Sequence, residues 1–287
     1  MTEGLRRIWL CADDYGMAPG VNKAIRELLA RERLNATSVM VNAPAFSSEQ
    51  SQMLDALNSK EKRAAVGLHI TLTAPFAPLS EEFHPLRARR FPPLNEMMRL
   101  AHLRRLSTEQ LTLEIHSQLR RFVETFGRVP DFIDGHQHVH LFPQVRDAFL
   151  KVTAEAAPKA WVRQCGRAHG ARRLRDRKAL LLDLLSVRFR AKAMRLGIRI
   201  NPAFAGAYDF AAKTDYATVF TRFLAGLPDG GLIMSHPGFV DAELQSLDSL
   251  TYQREREFAF FESEAFPQVL AVHQAILARP GESGAAA

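Results

Sequence analysis

Short apolar runs bounded by polar or helix-breaking residues alternate along this chain with longer stretches whose apolar positions recur every three or four residues. The first run, Ile8-Trp9-Leu10-Cys11-Ala12, stops at two adjacent carboxylates, Asp13 and Asp14, followed by Tyr15-Gly16. It predicts a strand over 6–12. Val21, Ala24, Ile25, Leu28 and Leu29 then share one face of a helix over about 20–33. Residues 36–42 read as a second strand closed by Pro44, 49–60 as a helix and 64–72 as a third strand.

From 73 to 107 the periodicity fades, and Pro75, Pro78, Pro85, Pro92 and Pro93 interrupt the chain. This stretch predicts a loop insertion over the active face, with a short helix near 95–104. Ser107 or Thr108 can cap a helix running to Phe126, which Gly127 stops. A strand over 131–135, a helix over 143–157 entered through Pro143, and a strand over 160–164 follow. Beyond them come a leucine-rich basic helical segment over 170–197, a strand over 198–202 and a helix over 214–226. A strand over 231–235 ends on His236, and a helix near 251–264 carries Arg254, Glu255, Arg256 and Glu257. The tail 281–287 is expected to be disordered. The alternation argues for an α/β fold with mostly parallel strands, in one domain over 1–280.

With 47% apolar and 24% charged residues among 287, the chain has material for a large core. Cys11 and Cys165, far apart in sequence, suit a reducing compartment and read as small packers. No apolar run approaches the roughly 18–20 residues of a membrane span. No signal-peptide pattern precedes the first strand, so the cytoplasm is the expected location. The net charge of +7 is local: residues 163–199 hold 12 Lys/Arg against Asp176 and Asp183, while elsewhere 26 bases face 29 acids.

Asp14, His69 and His136 each fall at or just beyond a predicted strand end, and such ends converge on one face of a barrel-like sheet. One carboxylate and two imidazoles form a facial ligand set with open positions, suited to Zn²⁺, Mn²⁺, Co²⁺ or Fe²⁺ without excluding Mg²⁺. His136, His138 and His140 line one wall if the strand continues, and spread around a loop if it ends at Gly135. Asp134 can fix a histidine tautomer from behind. Asp13 diverges from Asp14 and can take a proton from water as general base. His236 reads as the acid that protonates a leaving amine. Arg163, at a strand end, is a candidate substrate contact, as is His138. His84, His102, His116, His169 and His273 read as ordinary structural or surface residues.

Four stretches together resemble the YdjC-like carbohydrate deacetylases: Ala12-Asp13-Asp14-Tyr15-Gly16, Gly67-Leu68-His69, Asp134-Gly135-His136-Gln137-His138-Val139-His140 with Phe142-Pro143, and His236-Pro237-Gly238. Their order and spacing match over about residues 6–240. The resemblance implies a distorted, TIM-like (β/α) barrel with one divalent metal on Asp14, His69 and His136, and Asp13 as base. It also implies hydrolysis of an N-acetyl group on a sugar, and a homodimer. The basic 170–197 segment departs from the family pattern, leaving room for peripheral contact with a membrane or an anionic glycolipid. A metal-dependent phosphoesterase or amidohydrolase on a similar barrel is the rival enzyme reading. A basic nucleic-acid or membrane binder is the non-enzymatic one, but no nucleic-acid motif supports a nucleic-acid partner.

Overall fold

Every strand pair in the sheet is parallel, so each polypeptide crossover brings the chain back to the same edge of the barrel. The computed structural model describes residues 4–58, 64–168, 177–208 and 215–279. Along the chain these form β1 (Arg6–Tyr15), α1 (Pro19–Ala30), β2 (Ala36–Val39), α2 (Ser48–Ala56), β3 (Ala65–Ile70), α3 (Leu94–His102) and α4 (Thr108–Phe126). Then come β4 (Phe132–Gly135), α5 (Val145–Ala156), β5 (Trp161–Val162), α6 (Arg177–Arg195), β6 (Phe204–Ala205), α7 (Tyr216–Leu224) and β7 (Leu232–Ser235). The last described elements are α8 (Ala242–Leu247), α9 (Tyr252–Glu262), α10 (Ala265–Val272) and β8 (Ala275–Leu277).

The strand order is β5-β4-β3-β2-β1-β7-β6, and β8 pairs the start of β1. The two edges meet through one segment. Arg199 accepts from the Val162 amide at 2.9 Å, and Phe204 donates to Gly166 at 3.0 Å. Across β6 and its approach, Leu232 donates to Ala203 at 3.0 Å. Residues 199–205 thus bond β5 on one side and β7 on the other, and the parallel sheet curls into a distorted barrel. The strand expected over 198–202 is only a bridge at Ile200, and the regular pairing comes slightly later, at Phe204–Ala205.

Strands buried on both faces explain why the runs read as continuous rather than alternating apolar sequence; β1, β2, β3, β4 and β7 carry almost no exposed residue. Helix caps follow the sequence signals. Ser107 accepts from the Gln110 amide, and Gly127 closes α4 in the left-handed region at φ 65°. The 73–107 insertion is ordered and contains the expected short helix as α3. Glu114 on α4 accepts from the Leu79 and Ser80 amides at 3.2 and 2.7 Å. Gln118, one turn on, brackets Thr71 by donating to its carbonyl and accepting from its amide. Of the 170–197 segment, residues 177–195 form α6, while 170–176 lie outside the described residues, as do His169 and the 281–287 tail. Among the described residues no helix is long and apolar enough to cross a membrane.

Candidate metal centre

β1 runs three residues past its predicted end and bulges between Ala12 and Tyr15. In that bulge Asp14 takes φ 73°, a left-handed value unusual for a residue with a side chain. Gly16 follows at φ +101°, where a Cβ would stand 2.7 Å from the Met40 carbonyl, so the turn demands glycine. The bulge lets two adjacent carboxylates line one cavity with different partners.

Asp14 Oδ1 lies 3.1 Å from His136 Nδ1 and 3.4 Å from His69 Nε2. Donor atoms of these three buried residues fall within 4.8 Å of one another. His69 is on β3 in register with Asp134 on β4, and its Nδ1 donates to Asp134 Oδ1 at 2.6 Å. A carboxylate in that place fixes the tautomer and leaves the Nε2 lone pair on the side of Asp14. Asp134 was expected to orient a histidine; the one it holds is across the sheet rather than beside it in sequence.

The donor set suits a divalent cation on chemical grounds. Burial alone would push His69 down, but Asp134 and Asp13 together push it up to about 10. The carboxylates around this imidazole favour positive charge there, which a cation on Nε2 would supply in place of a proton. Asp14 would likewise be raised by burial, but Arg254, with help from His136 and His69, holds it well below the usual carboxylate range.

Asp13 sits beside this triad and is gripped by Arg163, which donates from Nη1 to Oδ2 and from Nη2 to Oδ1, both at 2.6 Å. Ser38 donates to Oδ1 at 3.1 Å. Burial would raise Asp13, but the guanidinium outweighs it and keeps the carboxyl well below its ordinary range. Arg163 also reaches Asp134 Oδ2 at 2.6 Å. The expected role of Arg163 as a substrate contact does not hold: it is wholly buried and its Nη groups are committed to these two carboxylates. Cys11, Asp13 and Asp134 form a second cluster of metal-type donors, but Arg163 already occupies its centre.

The three histidines after β4 spread rather than line one wall. Residues His136–Leu141 form a tight 3-10 turn in which Gln137 and His138 take left-handed φ values of 53° and 60°. His136 turns to Asp14 and His69, and Phe76 from the 73–107 insertion meets it edge-on at 5.7 Å. His138 lines the cavity and packs edge-on against Phe204. His140 enters the core, where Nε2–H donates to the Arg163 carbonyl at 2.9 Å and burial pushes it down to about 4.

Asp13, Asp14, His69, His136, His138, His236, Asp248 and Arg254 line a cavity of about 200 Å³, with Leu94 of α3 at its side. Burial pushes His236 down to about 4, while Asp14 and Asp13 pull the other way. Its amide donates to Glu257 Oε2 at 2.5 Å, and Tyr208 donates to Oε1 at 2.8 Å. Burial pushes Glu257 up to about 7. Arg254, Glu257 and Asp248 have no signal of their own in the sequence; Arg254 and Glu257, within Arg254-Glu255-Arg256-Glu257, look like part of a solvated charged turn.

Parallel strands whose C-terminal ends gather a carboxylate, two imidazoles and an arginine-held second carboxylate define an α/β-barrel protein with a candidate mononuclear metal centre. The chain belongs to the YdjC-like family, whose model matches residues 7–272. It is similar to a chitooligosaccharide deacetylase of Escherichia fergusonii, with 34% identity over 144 residues, 50% of this chain and 54% of that relative. The matched region thus spans about half the length of that curated relative. A solved structure from Enterococcus faecalis V583, a candidate cellobiose-phosphate cleavage protein, aligns with a TM-score of 0.71 and 21% identity over 96% of this chain and 98% of that one. That likeness concerns the fold.

Proposed function

We propose that this protein is a divalent-metal-dependent hydrolase that removes an N-acetyl group from an amino sugar in an oligosaccharide or glycoconjugate. One observation carries the reading: Asp14, His69 and His136 meet at strand ends in a cavity that Asp13 and His236 also line. Family membership and identity with a chitooligosaccharide deacetylase support the substrate class. A Zn²⁺, Mg²⁺, Mn²⁺ or Co²⁺ ion on Asp14, His69 and His136 would polarise the acyl carbonyl and acidify a water. Asp13, kept ionised and oriented by Arg163, takes a proton from the attacking water. His236 donates to the departing amine. Burial disfavours the protonated imidazole that this role needs, and the carboxylates of Asp14 and Asp13 favour it. Products are acetate and a free amino sugar.

Acetate release from N,N′-diacetylchitobiose and other N-acetylated sugars, by protein stripped of metal and reloaded, tests this. Release should require metal and fall by roughly 10²–10⁴ in Asp13→Asn. Phosphate release from phosphate esters, with no acetate from any sugar, would favour the phosphoesterase instead.

α6 turns Leu184 and Met194 outward, 68% and 70% exposed, with Leu181 and Val187 beside them and Arg188 and Arg195 flanking. This face suits an anionic glycolipid or membrane surface, since a facing copy of itself would oppose like charges. The protein should sediment with phosphatidylglycerol vesicles but not phosphatidylcholine vesicles, and Leu184→Glu should abolish this. No sedimentation, with Leu184→Glu splitting a dimer, would assign the face to a homodimer.

A further inference from the structure

The most distant connection in the site runs from the first strand to the last long helix. Arg254, in the first turn of α9, is fully buried. Its Nη2 donates to Asp14 Oδ2 at 2.7 Å and to Asp248 Oδ2 at 2.7 Å, and its Nε donates to the Leu250 carbonyl at 2.8 Å. Its stem is packed against Gly238, where an added Cβ would stand 3.3 Å from Arg254 Cδ. The guanidinium therefore has little freedom to move.

The contact divides the two oxygens of Asp14. Oδ1 faces His136 and His69, whereas Oδ2 is taken by Arg254. A free carboxylate can hold a cation through one oxygen or through both. Here the second oxygen is blocked by a positive charge that a cation must not approach. Asp14 also sits in a left-handed backbone conformation, which persists only where surroundings fix it. Arg254 is the side chain that fixes it from the C-terminal half. The partly exposed Asp248 shares the guanidinium and draws part of its charge away from Asp14.

We infer that Arg254 is a positioning residue that masks Oδ2 of Asp14, so that a divalent cation gains a single oxygen from this carboxylate and keeps its remaining positions open. The assignment rests on Asp14, His69 and His136 as the metal ligands. Masking weakens the hold on the cation in exchange for openness.

The test is Co²⁺ titration of metal-stripped protein, followed by visible absorption and by competition with a chelator. Wild type should bind one Co²⁺ per chain. In Arg254→Met, Oδ2 becomes available, so Co²⁺ should bind tighter by about fivefold or more and its visible bands should weaken as coordination number rises. Arg254→Lys keeps a charged donor for Oδ2 and should restore wild-type bands. Asp248→Ala leaves the whole guanidinium charge facing Asp14 and should weaken Co²⁺ binding several-fold, the opposite sign. Unchanged affinity and bands in Arg254→Met would overturn the assignment while leaving the metal centre intact. Weaker binding with unchanged bands would also overturn it, making Arg254 a simple structural support. If Arg254→Met does not fold, Asp248→Ala decides alone, and unchanged affinity there overturns it. Failure of wild type to bind Co²⁺ would remove the metal reading and this inference together.

Discussion

Asp13 and Asp14 are chain neighbours with different partners because one backbone angle and two arginines separate them. The left-handed φ of Asp14 costs on the order of 1–3 kcal/mol, and the ion pairs to Arg163 and Arg254 are part of what holds the pair in place. Each arginine is fully buried, so each would be costly without its carboxylates. Glu257 behaves differently, since burial raises it to about 7 from an ordinary 4.5. A carboxyl with a raised folded-state pKa contributes stability that is complete below the unfolded value and is lost as pH climbs through the folded one. Between about pH 4.5 and 7 the protein should therefore lose on the order of 3 kcal/mol relative to Glu257→Gln, a neutral isostere. Denaturant titrations of both proteins at pH 5 and pH 8 check this; parallel pH dependence would show that Glu257 ionises normally.

Among the elements, the strand ends were the most legible in the sequence. Ala12-Asp13-Asp14, Leu68-His69 and Gly135-His136 each mark a place where a buried apolar run meets a polar side chain, and each lies on the cavity side of β1, β3 and β4. The turn after β4 was less legible, because three histidines at spacing two suit a strand wall as well as the observed 3-10 turn. β8 and α8 are too short to impose a period and went unread. The insertion at 73–107 looked irregular, yet Glu114 and Gln118 of α4 tie it down by hydrogen bonds to backbone amides and a carbonyl. Glu114→Ala leaves those amides without their acceptor and should cost about 2–4 kcal/mol, read from the urea midpoint. A loss below about 0.5 kcal/mol would mean that Phe76, Phe83 and Phe91 anchor the insertion by themselves.

At the scale of the molecule, α/β class and parallel sheet follow from the alternation of runs, and the meeting of Asp14, His69 and His136 follows from where the runs end. What the sequence hides is partnership. Arg163 and Arg254 stand 150 and 240 residues from Asp13 and Asp14, and no local pattern separates a buried arginine from a solvated one. Arg163 consequently looked like a substrate contact. In the fold it is fully buried, bonded to Asp13 and Asp134 and absent from the cavity lining.

In the proposed function Asp14, His69 and His136 hold one divalent ion while Asp13 acts on the reacting water. Metal content per chain, measured by mass spectrometry after stripping and reloading with Zn²⁺, tests it most directly. One ion is expected in wild type and in Asp13→Asn, and none retained in His136→Ala. Equal metal in wild type and His136→Ala would contradict it.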